Sequence, residues 1–222
     1  MKRISLSSIT SWNSYLLFSV IFTAFIVPCL PEFMERISFR IGFTMILVSV
    51  VYSLEKNRRM LLIISGVGIL VEWASVLLHL PIITGISRSF KAIFFLYIVF
   101  SLIHQIGRSK EVGPASILEA ISGYLLLGIV FSSAVSIIIF FDPSAFNFPI
   151  GAPVPQGDMI SMKESLYFSF VTLATLGYGD IVPLEPYSRS LATFIAITGQ
   201  LYIAIIVALL VGKFVVIQQN RE

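Results

Sequence analysis

Between Thr172 and Pro183 the chain reads TLATLGYGDIVP, a polar, glycine-rich stretch set between two long apolar segments. The chemistry that suits it is coordination of a bare cation by oxygen. A dehydrated cation needs oxygen ligands at close range, and backbone carbonyls supply them when successive residues turn C=O to one side. In ordinary strand geometry the carbonyls alternate, whereas glycine reaches the φ > 0 conformations that restore a common direction. Gly177 and Gly179, alternating with Leu176 and Tyr178, suit a ladder of carbonyls on one side, and Thr175 adds a hydroxyl at its inner end.

The elements that must position this stretch are membrane helices. The chain has 222 residues, of which 57% are hydrophobic and 12% charged, with mean hydropathy +0.94. Soluble domains carry about 25% charged residues, and several stretches here approach the ~20 apolar residues that cross a bilayer. Six spanning segments are expected, at 14–30, 37–54, 60–80, 89–106, 117–141 and 189–216. The first is expected to be retained, because Pro28-Cys29-Leu30-Pro31 offers no small-x-small cleavage pattern. Pro28 and Pro31 close that helix, and Pro81 with Gly85 separates the third from the fourth.

The segment 142–158 is rich in proline and glycine and is expected to be neither helix nor strand. A short amphipathic helix over 161–174 follows it, then the glycine stretch, then the last long helix. Non-helical backbone at membrane depth is tolerated only where it is buried in protein or lines a water-filled cavity. The stretch therefore lines something.

The fold class expected is an all-α membrane protein with six transmembrane helices, a re-entrant pore helix and a loop. It divides into a four-helix region over 1–113 and a second region over 114–222. With the N-terminus inside, Lys2, Arg3, Lys56, Arg58, Arg59, Arg108, Lys110, Lys213 and Arg221 fall on the inner side. Arg36, Arg40, Arg88, Lys91, Lys163 and Arg189 fall outside. Nine against six favours cytoplasmic termini. Both tails are short, so a cytosolic ligand-binding domain is not expected.

Thr175-Leu176-Gly177-Tyr178-Gly179-Asp180 strongly resembles the selectivity filter of the tetrameric potassium-channel family, Thr-Val-Gly-Tyr-Gly with Asp often following. The resemblance covers about 117–214. Over the first four helices it extends only to their number and hydrophobicity. In that family filter carbonyls replace the hydration shell of potassium. The resemblance implies potassium sites along Thr175, Leu176, Gly177, Tyr178 and Gly179, passive conduction in a plasma membrane, and a homotetramer in lipid, since one chain supplies one wall. It implies no cofactor and no nucleic-acid partner.

Some residues depart from that pattern. Leu176 stands where Val or Ile is usual, Ala174 replaces a frequent Thr, and Phe168 sits where many members carry a Trp that braces the Asp. Tyr167 is the alternative brace for Asp180, with Thr172 as further support. Val182 occupies the outer-mouth position where an aromatic ring holds external blockers. Gly199, in Ile197-Thr198-Gly199-Gln200, sits where the family has an inner-gate hinge, with close packing an equal reading. Gln200 is placed to face the cavity, and Gly212 to pack.

In the fourth segment Arg88 and Lys91 keep the three-residue spacing of a voltage sensor, but Phe94, Tyr97, Phe100 and Ile103 continue the series. Glu72 is an intramembrane carboxylate that could pair with either cation. Anchoring of the helix end by snorkelling is the preferred reading of Arg88 and Lys91, with weak or absent voltage gating as its consequence. His79 and His104 sit near helix ends outside any metal-ligand spacing, Cys29 is a lone thiol, and Glu119 is read only as complementing a helix dipole. The readings that compete with a potassium channel are a weakly selective cation channel, a secondary transporter and a membrane enzyme. The transporter lacks visible paired halves, and the enzyme would have Glu72 as its only mid-membrane carboxylate.

Overall fold

The computed structural model describes residues 6–54, 58–78, 81–108, 113–148 and 162–219. The described helices are α1 (Leu6–Ile21), α2 (Glu32–Ser53), α3 (Arg58–Leu78), α4 (Pro81–Arg108), α5 (Pro114–Phe141), α6 (Met162–Leu173) and α7 (Pro186–Gln219). Four stretches are long and apolar enough to cross a membrane: Ser11–Cys29, Ser89–Arg108, Pro114–Phe141 and Pro186–Val215. The first continues past α1 through a π-helical turn, Phe22–Ile26, and a 3₁₀ turn, Val27–Cys29. Pro28 is the cause, since its ring clashes with the carbonyl four residues back and it has no N–H to donate.

Several helices start earlier than the sequence expectation, and two of them, α4 and α5, do so for a shared reason. Pro81 and Gly85 do not form a linker: α4 starts at Pro81 and runs 28 residues through Gly85. Likewise α5 starts at Pro114, after Gly113. Proline suits the first turn of a helix, where its missing N–H is an orphan anyway, and an internal glycine costs only about 1 kcal/mol. His79 lies outside the described residues.

α5 is the hub, packing against α1, α4, α6 and α7. The core of the first four helices is built on an α4 stripe, Phe95, Ile98, Leu102 and Ile106, all almost fully buried at i, i+3/i+4 spacing. Phe95 stacks on Phe43 of α2, ring centroids 6.0 Å apart. Small residues let backbones approach. A Cβ on Gly42 would lie 2.3 Å from Thr23 Oγ1, and one on Gly123 2.3 Å from Tyr202 Oη. Gly212, by contrast, has open space where its Cβ would stand, so the packing reading has no support within the chain.

Glu119 does more than complement a helix dipole. It is the sixth residue of α5, beyond the first turn where that effect is felt, and it is only 4% exposed. Its Oε1 accepts from Asn13 Nδ2 at 2.9 Å and Gln105 Nε2 at 2.7 Å. Ser53 Oγ donates to Asn13 Oδ1. One carboxylate thereby ties α1, α2 and α4 to α5, inside a bundle where an unmet polar group is expensive.

The segment after α5 also differs from expectation. Pro143–Ala145 form a 3₁₀ turn, capped by Asp142, which accepts from Ser144 N. Phe146–Asn147 form a two-residue strand, β1, antiparallel to β2 (Val182–Pro183). A strand pairing with a partner this remote leaves no local trace in the proline-rich sequence. The remainder of the expected linker, 149–158, lies outside the described residues.

The tightest close approach that involves a rigid ring is at Gly128, where a Cβ would stand 2.3 Å from Phe170 Cε1 of α6. Gly128→Ala is therefore expected to destabilise the protein by roughly 1–3 kcal/mol through overpacking. Chemical denaturation in detergent micelles, followed by tryptophan fluorescence, checks this. An unchanged midpoint contradicts it.

Candidate functional site

The site is built outward from the end of α6. Thr175 N donates to Thr172 O, and Leu176 N to Val171 O, both at 2.9 Å. This pair of bonds is a Schellman cap, whose C′ residue takes the left-handed conformation. Thr175 occupies that place, with φ +58°. For a β-branched residue such a conformation costs on the order of 1–3 kcal/mol. Gly177 follows at φ +56° and Gly179 at φ +80°.

The left-handed residues are thus 175, 177 and 179, and Leu176 and Tyr178 between them have negative φ. Sequence reasoning named Thr175 for its hydroxyl but expected positive φ only at the two glycines, because a β-branched residue gives no warning of it. Alternation of φ sign is the backbone pattern by which a chain can escape the strand's alternation of carbonyls. The Leu176 and Tyr178 side chains are 60% and 68% exposed on the single chain.

The C-terminal end of the stretch is held by Asp180. Tyr167 Oη donates to its Oδ2 at 2.5 Å, and Ile181 N to its Oδ1 at 3.0 Å. The Tyr167 hydrogen bond, first among the causes, holds the Asp180 carboxyl below its ordinary value, and the same bond pushes the Tyr167 phenol up to about 12. Phe168 braces nothing polar. It is buried against Phe146 of β1, ring centroids 5.1 Å apart and edge-on. Thr172 contributes its carbonyl, through the Schellman cap.

At the inner end Gln200 Nε2 lies 3.4 Å from Thr175 Oγ1, so the two polar residues expected near the cavity do meet. Gly199 lies in unbroken α7. A Cβ there would stand 2.1 Å from Leu173 O, which favours close packing over a hinge as the reason for glycine.

Glu35 of α2 reaches α6, its Oε2 3.7 Å from Lys163 Nζ, whereas Lys91 and Glu72 pair with each other inside the first four helices. Lys91 does not snorkel. It is buried, its Nζ is 2.8 Å from Glu72 Oε2, and it lies 4.5 Å from the centroid of the Phe43 ring. The carboxylate on α3 and the aromatic face on α2 draw the ammonium inward, so of the two sequence readings of Lys91 the pairing with Glu72 is found and the interfacial anchor is not. The side chain of Arg88 lies outside the described residues. Among the described residues no group of three or more His, Cys, Asp or Glu side chains could hold a metal ion.

Comparison with known proteins bears on the same region. Residues 129–216 match the family model described as "Ion channel". The chain is 37% identical over 60 residues to potassium voltage-gated channel protein shk-1 of Caenorhabditis elegans, covering 27% of this chain and 11% of that protein. It is 35% identical over 54 residues to inward rectifier potassium channel Kirbac3.1 of Paramagnetospirillum magnetotacticum, covering 24% and 18%. It is 29% identical over 110 residues to two pore potassium channel c of Oryza sativa subsp. japonica, covering 48% and 21%. The chain thus spans about a fifth or less of the length of these relatives. No solved structure matches.

The Asp180–Tyr167 contact gives a pH expectation. A carboxyl with lowered pKa contributes stability that is present above its ordinary 3.8 and lost as pH falls through the lower folded value. A phenol with raised pKa contributes stability that is present below 10.0 and lost as pH rises through about 12. Between pH 4 and pH 10, roughly, the contact is therefore intact. Activity is expected to be flat in external pH over that window as far as this pair is concerned, and Tyr167→Phe is expected to impair function equally at both ends of it. An effect of Tyr167→Phe confined to one end would contradict the assignment.

Proposed function

We propose that the chain, which matches an ion-channel family model over residues 129–216 and is similar in part to potassium channels, is a subunit of a potassium-selective channel conducting passively through residues 175–179. The match is to an ion channel, not to an enzyme. The observation that carries the reading is the alternation of φ sign at Thr175, Gly177 and Gly179. In this reading the carbonyls of Thr175, Leu176, Gly177 and Tyr178 replace potassium's water shell. The C-terminal end of α6, where the helix dipole is negative, faces the inner end of the ladder and favours a cation there.

One chain gives one wall, so the functional unit is a tetramer with C4 symmetry around the filter. The exposure of Leu176 and Tyr178 and the apolar outer faces of α7, including Phe194, Leu201 and Phe214, support this, since such surfaces ask for neighbours or lipid. In the full reading six helices span the plasma membrane with both termini cytoplasmic. α2 and α3, at 22 and 21 residues, are each long enough to cross the ~30 Å hydrocarbon core. Residues 1–113 then form a charge-poor, sensor-like region and 114–222 the pore, with α6 as the re-entrant helix. The alternative reading is a weakly selective cation channel. It rests on Leu176, whose side chain has little cover within the chain.

The decisive experiment is the reversal potential in planar bilayers with potassium on one side and sodium on the other. A value near the potassium equilibrium potential is expected. A value near zero favours the weakly selective channel. Gly177→Ala tests the filter itself. Within the chain a Cβ at Gly177 meets nothing within 4 Å, so the strain the substitution brings there comes from the φ of +56°. The variant is expected to insert and fold yet lose at least about a hundredfold in potassium flux. Parent-like flux sinks the filter assignment.

Voltage dependence is expected to be weak. Charge moved through the full membrane potential contributes about 2.3 kcal/mol per 100 mV, and strongly gated channels move about 3–4 charges per subunit. Here Lys91 is neutralised by Glu72, and parting a buried pair costs roughly 3–5 kcal/mol. The slope of open probability against voltage checks this. A slope equivalent to more than about eight charges per tetramer contradicts it.

A further inference from the structure

The segment between α5 and the filter is fastened to the filter's exit by a set of contacts that the filter motif does not account for. Ala145 and Phe146 are buried, and Phe146 rests edge-on against Phe168 of α6. Leu184 N donates to Ala145 O at 2.9 Å, extending the β1–β2 pairing in which Asn147 faces Val182 and Phe146 faces Pro183. Ser188 is fully buried at the start of α7, and its Oγ serves three partners. It accepts from Glu185 N at 3.1 Å, and it lies 2.9 Å from Glu185 O and 2.8 Å from Ala145 O, to which it donates. The first of these contacts is the reaching-back half of a capping box. The contact with Ala145 spends the same hydroxyl on the outer segment. Tyr187 Oη beside it donates to Asp142 Oδ2.

The geometry points to residues 142–148 as a brace for the outer end of the filter, with Ser188 as its pin. Ser188 is a positioning residue. It touches no filter carbonyl, but it joins Ala145 to the helix start that fixes Leu184 and, through β2, Ile181 and Asp180. The stretch 175–179 has few backbone bonds of its own on the outer side, so its exit is held by what is attached to it. Asp180 is attached to α6 by Tyr167, and β2 is attached to α5 by the brace. Without the pin, β2 is free to drift from β1, the carbonyl spacing at Tyr178 and Gly179 relaxes, and the filter passes more often into a non-conducting form. Bound potassium opposes that passage, because it binds only the ordered filter.

This inference rests on the filter reading above, and the experiment separates the two. Potassium currents are recorded from the parent and from Ser188→Ala, Ser188→Thr and Tyr187→Phe, held at constant voltage in low and high external potassium. Ser188→Ala is expected to speed current decay by roughly fivefold, the equivalent of one net hydrogen bond. High external potassium is expected to slow the decay again, and Ser188→Thr, which keeps the hydroxyl, to behave as the parent. A role confined to folding would lower the amount of channel and leave the decay rate and its potassium dependence unmoved, and that result overturns the brace. If Ser188→Ala does not assemble, Tyr187→Phe, which removes only the hydroxyl that meets Asp142, carries the same expectation. If the parent carries no selective potassium current, the filter reading fails by itself. The brace is then judged by amide hydrogen exchange at Leu184, expected to be faster in Ser188→Ala and contradicted if unchanged.

Discussion

Everything in this chain answers to one constraint: a short backbone stretch at 175–179 that is neither helix nor strand and that must hold a sign-alternating conformation among apolar helices. Such a stretch has no repeating hydrogen-bond ladder to set its shape. Two of its left-handed positions are relieved by glycine, and the third, at Thr175, is strained. The conformation persists because both ends are fixed by others. The Schellman cap of α6 dictates the first left-handed residue, and the Tyr167–Asp180 bond fixes the residue that follows the last. The inner end is therefore set by helix geometry and the outer end by a side chain.

A fixed end is only as firm as the element carrying it, which explains where the chain places its small residues. α6 is twelve residues long, too short to be stable alone. It depends on α5, where Gly128 opens a slot for the Phe170 ring, and on α7, where Gly199 lets the helix lie directly on Leu173 O. Gly123 admits the Tyr202 ring, whose hydroxyl donates to Ala120 O at 2.8 Å. These glycines occur where a neighbour would otherwise collide, in ordinary helical backbone. Gly177 and Gly179 are the reverse case, with open space around them and a φ that a side chain would strain.

The difference between those two kinds of glycine marks what the sequence discloses. The positive φ of the two motif glycines was legible because their spacing of two matches a backbone rule, whereas that of the β-branched Thr175 was not. The helices were legible from hydropathy, although proline misled at 81, where it starts a helix and does not punctuate one. The brace at 142–148 was not legible, because Ser188 and Ala145 are 43 residues apart and neither belongs to a pattern. Glu119 was misread for a similar reason. A carboxylate near a helix start looks like a dipole partner, and only the position of Asn13 and Gln105 on two other helices shows that it is a cross-link. Lys91 was read in part: its pairing with Glu72 was among the expectations and is found, while the preferred snorkelling reading, drawn from its place near the helix end, took no account of Phe43 on another helix.

These polar contacts also determine how the first four helices bear on the rest. Lys91 and Glu72 pair within that region, α4 to α3, and so stiffen it internally. The contacts that cross to α5 and α7 are of another kind. Glu119 draws α1 and α4 onto α5 through amide donors. At the far end of α7, Lys213 Nζ donates to the last carbonyls of α4, those of Ile106 and of Gly107 at 2.9 Å. An ammonium on the C-terminal carbonyls of a helix satisfies acceptors that have no partner within it and complements the negative end of its dipole. A displacement of α7 relative to α4 must take Lys213 off those carbonyls, whereas a displacement within the first four helices leaves them capped. The four-helix region is therefore joined by polar contacts to three elements: to α7 through Lys213, to α5 through Glu119 and through Asn13, whose Nδ2 also meets Ala115 O, and to α6 through the Glu35–Lys163 pair.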